Sequence, residues 1–197
     1  MITRSISERE FRAGLAQLTG PYRSRNRALL IGLAKTGFRI SELLSVQVKD
    51  VYDAVSGAMR PRISISRQHM KGKIHGRTIP VHSEAQQAIH AWIIEGGLDQ
   101  PGCGSLPLFK SRKGGRLTRG QAWRVVKSAF RRSGTADGVA CHSMRKKYGT
   151  EVYERSGRCI ATTQQALGHR DPTHTAVYID INRERLEAAI LGLSMVA

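Results

Sequence analysis

Apolar residues recur at helical spacing through most of the chain. In "SEREFRAGLAQL", Phe11, Leu15 and Leu18 follow the three- and four-residue steps that place side chains on one helix face. A second helix is predicted to begin with Ser24 as its cap and to run to Gly37, because serine accepts bonds from the first helical amides and glycine lets the backbone turn out of a helix. The first forty residues are therefore predicted to be helical.

The pattern changes to a two-residue alternation further along. "RISIS" at 62–66 and "GRTIPV" at 76–81 alternate apolar and polar residues on either side of a segment that contains Gly and Lys. Such alternation is typical of half-buried strands, and the segment between them is typical of a turn. We therefore expect a hairpin or meander in a small antiparallel sheet near residues 50–82.

Helical spacing returns after the predicted sheet. Ser83 is predicted to cap a helix that ends at Gly96. A Gly- and Pro-rich loop with a short strand at "PLFK" is predicted over residues 96–117, and Thr118 opens the next helix. From Cys141 onward the chain is again predicted to be mainly helical. The predicted fold class is thus mainly α with a small antiparallel β-sheet, an α+β arrangement.

Two of the later helices carry specific expectations. Trp123, Val126 and Phe130 are predicted to face one way on the helix after Thr118. Asp171-Pro172 is predicted to start a short helix, because a cap followed by proline in the first turn is a common helix beginning. Tyr178 is expected near the end of that helix.

The charge balance points to a polyanionic partner. The chain has 32 lysines and arginines against 15 acidic residues, which gives a formal net charge of +17. Nucleic acid is the best candidate, since contacts from Lys and Arg to phosphates supply most non-specific affinity for it, although ribosomal-type structural proteins share this property. The basic residues are spread through patterned sequence, which favours a folded basic surface over a disordered arm.

Cysteine usage and hydropathy point to a protein inside the cell. Cys103, Cys141 and Cys159 are odd in number and show no C-x-x-C pair, so neither a disulfide framework nor a zinc site is indicated. No apolar run approaches the roughly 18 residues of a membrane span, and the N-terminus lacks the apolar core of a secretion signal. We expect a cytoplasmic location, soluble or on nucleic acid, with no membrane partner.

Two short segments carry candidate chemistry on predicted helices. In "TGFRISELLSV", Arg39 and Glu42 are three residues apart and hence neighbours, which also fits a simple surface ion pair. In "CHSMRKKYGT", His142 and Arg145 share a helix face, where imidazole and guanidinium together would suit a phosphate. H-x-x-R is nevertheless common, and by itself it is equally compatible with a surface coincidence.

The remaining candidates are weaker when taken singly. Lys71 and Lys73 lie in the turn between the predicted strands, where lysines are usually only solvated. His169 follows a helix-ending glycine in "LGH", and Tyr178 stands nine positions later, where a packed ring with a satisfied hydroxyl is the simpler interpretation.

Together these signals resemble a known family. R-x-x-E-L at Arg39, a β-turn lysine, H-x-x-R at His142, L-G-H ending at His169 and a tyrosine nine positions later resemble the catalytic domain of the tyrosine recombinases, the phage integrase family. Order, spacing and flanking residues agree from about Ser24 to Ile181, most of the chain.

The resemblance implies a site-specific DNA recombinase or integrase. Tyr178 would attack a phosphodiester and leave a 3′-phosphotyrosyl link and a free 5′-hydroxyl, with no metal, ATP or other cofactor. The resemblance implies a role for each of the other side chains: Arg39 and Arg145 would clamp the phosphate, His142 would be general base, His169 would donate to a non-bridging oxygen, and Lys71 would be general acid. The alternatives are a type IB topoisomerase and a basic DNA-binding protein that does not cleave.

The sequence departs from the family pattern in two places. Lys146 and Lys147 stand where the family usually has a histidine followed by Ser or Thr. The family pattern therefore does not predict which side chains surround Arg145. Lys73 lies close enough to Lys71 to compete with it for the role of general acid.

The resemblance also sets expectations for domains and partners. Residues 1–197 are expected to form a single catalytic domain with a helical lead-in at 1–23, without the family's usual N-terminal core-binding domain, either as a complete small recombinase or as a catalytic fragment. A helix over 183–197 would dock on its own domain or on a neighbouring protomer. The expected partner is double-stranded DNA, bound by a homo-oligomer, a tetramer, on paired sites, with a monomer compatible with the DNA-free state.

Overall fold

The computed structural model describes residues 3–66 and 76–169, together with Asp171, Thr175 and Leu191. Within these ranges the chain is mainly helical, with four short strands. The α-helices are α1 (Glu8–Ala16), α2 (Arg23–Thr36), α3 (Ile40–Ser45), α4 (Ser83–Glu95), α5 (Arg119–Arg132), α6 (Cys141–Arg155) and α7 (Ile160–Leu167). The strands are β1 (Tyr52–Asp53), β2 (Ala58–Met59), β3 (Arg62–Ile65) and β4 (Arg77–Pro80), and 3-10 turns cover Val48–Asp50 and Cys103–Ser105.

Helix α2 lies at the centre of the domain. It packs against α4 and α6, and Leu29, Leu30 and Leu33 are all but removed from solvent. Its middle is apolar on every side, as expected of a helix surrounded by other elements. It ends at Gly37, the glycine predicted to end it, whose φ of 60° lies in the left-handed region.

Helix α1 begins with a capping box formed by Ser7 and Glu10. The Ser7 hydroxyl accepts from the amide of Glu10, and the Glu10 carboxylate accepts from the amide of Ser7. This reciprocal arrangement satisfies two amides that a helix start leaves without partners. Phe11 is buried and Leu15 packs against the core, so the predicted first helix is confirmed.

The predicted hairpin is present as β3 and β4. The strands are antiparallel and pair Ile63 with Ile79 and Ile65 with Arg77. These four side chains face the core, while Ser64 and Thr78 meet on the exposed face with their hydroxyl oxygens 2.7 Å apart. A second, separate two-stranded sheet is formed by β1 and β2, so the region near residues 50–82 holds two small sheets.

Two predicted caps are wrong by one or two residues. Tyr22 precedes the first turn of α2, and Ser24 lies within that turn, where its hydroxyl donates to Glu95 at the end of α4. Helix α4 begins after His82, whose Nδ1 accepts from the amide of Glu84 at 3.2 Å. In both cases the helix start involves a side chain that a search for capping serines does not consider. For Ser24 it is the distant Glu95, and for α4 it is the neighbouring His82.

Two further expectations need correction. "PLFK" does not form a strand, because Pro107 and Lys110 make only isolated bridges, to Gln47 and Arg116. On α5, Thr118 caps the helix as predicted. Val126 and Phe130 are fully buried, but Trp123 is 48 % exposed and so is not a core residue.

The expectations for the last part of the chain lie outside the described residues. These are the helix predicted to start at Asp171-Pro172, of which only Asp171 and Thr175 are described, and the helix over 183–197, of which only Leu191 is described. In the part of the chain that the structure covers, no helix combines the length and the apolar character needed to cross a bilayer.

Candidate active site

A cavity of about 830 Å³ opens where α3, α5 and α6 meet. Three arginines and a histidine line it: Arg39, Arg119, Arg145 and His142. The other lining residues are small or apolar, with Trp123 and Cys141 among them, and none of the described lining residues is acidic. This cationic cavity, as we call it, therefore favours an anion, because charges of one sign in a cleft with low-dielectric walls focus the potential.

Arg39 is held at the entrance of α3 by Glu42. Its backbone is extended, with φ −65° and ψ 151°, so it caps the helix and does not lie within it. The carboxylate of Glu42 accepts from the Arg39 amide at 2.8 Å and from Arg39 Nη1 at 2.7 Å. Glu42 is fully buried, whereas the Arg39 side chain is partly exposed. The predicted contact between the two residues is confirmed, and it fixes the guanidinium at the cavity wall.

Arg145 lies on α6 and is only 1 % exposed. Its Nη2 donates to the carbonyl oxygen of Leu167 at 2.7 Å, and its Nη1 donates to that of Gly37. The carbonyls at the end of a helix lack intrahelical partners and carry the negative end of the helix dipole. Arg145 thus joins the carboxyl ends of α2 and α7 while its charge lines the cationic cavity.

His142 is one turn before Arg145 on α6. The residue is exposed, yet its imidazole is partly screened from water by its neighbours. This loss of hydration, and the positive charges of Arg145, Lys146 and Arg39, lower the pKa of His142 below its ordinary value. The neutral imidazole that results at pH 7 can accept a proton.

His169 follows the left-handed turn that ends α7. Gly168, the glycine predicted to end the helix in "LGH", has φ 64°. The His169 Nδ1 lies 3.0 Å from the hydroxyl of the buried Thr175, and its amide donates to Gln164 at 3.1 Å. The ring is therefore oriented through Nδ1 and the backbone is held by the amide, and His169 stands two residues after Leu167, the partner of Arg145.

The structure brings Arg39, His142 and Arg145 to one cavity, although they come from separate parts of the sequence. His169 is linked to this group through the backbone, because the carbonyl of Leu167, two residues before it, accepts from Arg145. Lys71 and its competitor Lys73, as well as Tyr178, lie outside the described residues, so their places stay predictions.

The unusual lysines after Arg145 have structural roles. Lys146 donates to the carbonyl of Thr3 at 2.5 Å. Lys147 is buried and pairs with Glu8, at 2.8 Å, and with Glu151. Both side chains tie α6 to the beginning of the chain, so the departure from the family pattern serves packing.

Sequence reasoning missed two groups of residues here. Arg119 and Trp123, one turn apart on α5, line the cationic cavity. Arg77 is 9 % exposed and donates to the ends of both α2 and α7. The alternation of "GRTIPV" offered a signal for Arg77, because position 77 shares the inward face with Ile79.

Metal ligands are not grouped in the described part of the chain. In residues 3–66 and 76–169, no three His, Cys, Asp or Glu side chains lie close enough together to hold an ion. Cys103, Cys141 and Cys159 are free thiols. Burial raises the pKa of Cys141, which lines the cavity, to about 11.

Comparison with known proteins identifies the family. The model of the phage integrase family matches residues 6–185, and the chain belongs to that family. The predicted resemblance to the tyrosine recombinases is thereby confirmed, and with it the predicted fold class.

Individual relatives agree with this assignment. The tyrosine recombinase XerD of Mycobacterium leprae (strain TN) is 33 % identical over 184 residues, which are 91 % of this chain and 55 % of that protein. The type 1 fimbriae regulatory protein FimE of Escherichia coli (strain K12) is 31 % identical over 163 residues, 82 % of this chain and 77 % of FimE. The chain therefore spans about half the length of the XerD proteins that it matches.

A solved structure shares the fold. The XerH site-specific recombinase bound to palindromic difH substrate, a post-cleavage complex, superposes with a TM-score of 0.74 at 23 % identity. The match covers 96 % of this chain and 53 % of the XerH chain.

Proposed function

We propose that this chain is the catalytic domain of a site-specific DNA recombinase that cuts and rejoins strands through Tyr178. The observation that carries the proposal is the convergence of Arg39, His142 and Arg145 on one cavity that no described acidic residue lines. Binding to a polyanion needs positive charge alone. A histidine with lowered pKa that shares a cavity with two anchored guanidiniums is an arrangement suited to phosphoryl transfer.

The partner that we propose is double-stranded DNA. The net charge of +17 supports a phosphate-rich partner. The names of the relatives, XerD tyrosine recombinase and XerH recombinase bound to difH substrate, support recombination of DNA as the process.

In the first step the hydroxyl oxygen of Tyr178 attacks the phosphorus and the bond to the 5′-oxygen breaks. The phenol proton passes to His142, and the departing oxygen takes a proton from Lys71. Only about one tyrosine in a thousand is ionised at pH 7, given a pKa near 10. A base and nearby cations are therefore needed, and both are features of the cationic cavity.

Arg39 and Arg145 meet the charge that develops on the non-bridging oxygens, and His169 donates to one of them. The roles differ in kind. Arg39 lies partly exposed at the cavity wall, where it can reach a phosphate. Arg145 acts from the buried side, where it contributes charge and holds two helix ends in place. In the second step a 5′-hydroxyl from another strand attacks the phosphotyrosine, and the phenol regains its proton.

The proposal is tested by trapping the intermediate. The chain is incubated with duplexes that have a randomised centre and a nick in one strand, so that the short 5′-hydroxyl fragment diffuses away and religation stops. We expect a protein–DNA adduct that survives sodium dodecyl sulfate, disappears after protease digestion and retains a label from the 5′ end of the cut strand. Tyr178→Phe is the matched control and should give none.

Absence of any adduct from the unaltered chain, or an adduct of equal yield from Tyr178→Phe, contradicts the proposal. Adducts that form together with relaxation of supercoiled plasmid at arbitrary sites would favour a type IB topoisomerase. Tight DNA binding without adduct would favour a DNA-binding protein that does not cleave.

A further inference from the structure

Arg77 connects three parts of the domain through one buried guanidinium. It is the first residue of β4 and is 9 % exposed. Its Nη1 donates to the carbonyl of Leu167 at 3.0 Å, at the end of α7. Its Nη2 donates to the carbonyl of Thr36 at 3.0 Å, at the end of α2, and also to that of Ala166. The hairpin strand and two helix ends thus meet at this side chain.

The surroundings offset part of the cost of burying this charge, although burial still lowers the pKa of Arg77. Carbonyls in the last turn of a helix have no intrahelical donors, and the helix dipole makes them favourable partners for a cation. The guanidinium also lies over the ring of Phe38, 5.0 Å from its centroid. A planar fork presents donors to both helix ends in a fixed geometry, which the compact, rotating ammonium of a lysine does not provide.

The two helix ends that Arg77 joins are each followed closely in the chain by a residue of the candidate site. After Thr36 the chain turns at Gly37 and reaches Arg39, and after Leu167 it turns at Gly168 and reaches His169. The fit at Gly168 is close, since a β-carbon there would lie 3.1 Å from the Arg77 Cδ.

Arg77 also stands six positions after Lys71 in the sequence, at the start of the second strand of the hairpin. The same side chain therefore anchors the strand that follows the predicted lysine turn. Its position on the inward register, opposite Ile65, keeps it inside the domain and away from the surface.

We propose that Arg77 is a positioning residue: it sets Arg39, His169 and the hairpin relative to one another without touching the DNA. This inference rests on the proposed function for its effect on the reaction. Loss of the fork would let the ends of α2 and α7 shift, and displacement of reacting groups by about 1 Å can slow a reaction about 100-fold.

Arg25 provides a matched control. It is 6 % exposed and its Nη1 donates to the backbone carbonyl of Lys110 at 2.8 Å, so it too is a buried guanidinium on a carbonyl. It lies at the opposite end of α2, roughly 16 Å along the axis from Thr36. Arg25→Met therefore removes a similarly buried guanidinium, at the amino end of α2, without loosening the carboxyl end that Arg77 binds.

The experiment compares Arg77→Met, Arg77→Lys and Arg25→Met. Melting temperature, affinity for the duplex recovered by adduct trapping, and the single-turnover rate of adduct formation at saturating protein are measured for each. We expect Arg77→Met to lose about 100-fold in rate with DNA affinity nearly unchanged. Arg25→Met should keep the rate of the unaltered chain, although its melting temperature should fall about as much as that of Arg77→Met.

Arg77→Lys keeps the volume and the charge but not the fork, and we expect a rate about tenfold below that of the unaltered chain. This variant decides the matter if Arg77→Met does not fold. An unchanged rate in Arg77→Lys, or losses that track melting temperature equally at positions 25 and 77, would overturn the inference.

A second measurement does not depend on cleavage. The ring signals of His169 are assigned by NMR from their loss in His169→Gln. They should shift in both Arg77 variants and stay in place in Arg25→Met. If the unaltered chain forms no adduct but the His169 signals respond in this way, the proposed function fails and the positioning role stands. Unmoved His169 signals in the Arg77 variants refute the positioning role, whatever the chain does to DNA.

Discussion

Glu42, completely buried, accepts hydrogen bonds from both the amide and the guanidinium of Arg39, at 2.8 and 2.7 Å. One carboxylate thus holds both the start of helix α3 and the guanidinium of Arg39, a residue that lines the cationic cavity.

This relationship predicts that Glu42→Gln slows adduct formation while the protein stays folded. The amide keeps an acceptor for the Arg39 backbone but loses the charge-assisted bond to its side chain. We expect about a tenfold loss in rate with unchanged DNA affinity. Glu42→Ala should in addition lower the free energy of unfolding by about 1–2 kcal/mol, because it removes the acceptor of two partly buried donors of Arg39. Glu84→Gln, at an exposed glutamate, is the control, and equal behaviour of the two glutamine variants would contradict the prediction.

Arg39→Ala is expected to reduce the single-turnover rate about 100- to 1000-fold, the usual cost of losing one donor to a developing oxyanion. Many other basic residues remain to bind phosphates, so the dissociation constant for DNA should change little. Arg12→Ala, at an exposed arginine on α1, should leave the rate as it is. Loss of binding in proportion to rate would argue against a phosphate clamp at position 39.

Arg145→Ala is expected to show both a catalytic and a structural defect. Its guanidinium donates to Gly37 and Leu167, so its removal loosens two helix ends as well as removing charge. The melting temperature should therefore fall further in Arg145→Ala than in Arg39→Ala, which costs only the side-chain bond to Glu42. Thermal unfolding followed by circular dichroism separates the two variants, and equal melting temperatures would contradict the structural part of this prediction.

Inorganic phosphate should bind the cationic cavity and raise the melting temperature. A ligand that binds only the folded state stabilises it in proportion to the logarithm of its concentration. The comparison is between phosphate and chloride at equal ionic strength. We expect a larger increase with phosphate in the unaltered chain and a much smaller difference in Arg39→Ala. The same increase in both proteins would place the anion elsewhere.

Stability should fall in acid through Glu8. Hydrogen bonds from Lys147 and Arg12 lower the pKa of Glu8 from its ordinary value of 4.5 to about 2. A carboxyl whose pKa is lower in the folded state stabilises the fold above its unfolded pKa and loses that contribution as the pH falls toward the folded pKa. The window is thus from about pH 4.5 down to 2. Glu8→Gln should flatten the fall in melting temperature across this window, whereas Glu154→Gln, at an exposed ion pair, should not.

A substrate with a better leaving group distinguishes Lys71 from Lys73. If Lys71 protonates the departing 5′-oxygen, Lys71→Ala should cut an ordinary phosphodiester slowly but a 5′-bridging phosphorothiolate at nearly the normal rate, because a thiolate leaves without a proton. Lys73→Ala should behave like the unaltered chain on both substrates. The rate of adduct formation on each substrate is the measurement, and rescue of Lys73→Ala alone would exchange the two roles.

The local sequence was sufficient to predict most helices and strands and to identify the candidate site residues. Some signals act over only a few residues, so they can be recognised in the sequence alone. They include the helical spacing around Leu29 and Leu30, the alternation of "RISIS" and "GRTIPV", and the glycines at 37 and 168. The order of Arg39, His142, Arg145 and His169 was likewise readable, and the first three do line one cavity. Where a cap depended on a partner far away, as at Ser24 and Glu95, the prediction was wrong.

Only the tertiary structure decided which arginines are buried and what they hold. A guanidinium in the sequence is one more positive charge among 32 lysines and arginines. It becomes a link when the carboxyl ends of α2 and α7, which are far apart in the chain, present unpaired carbonyls to it in the same place. Arg77 and Arg145 acquire their roles in this way, and no periodicity records it, because the partners of each side chain are set by long-range packing.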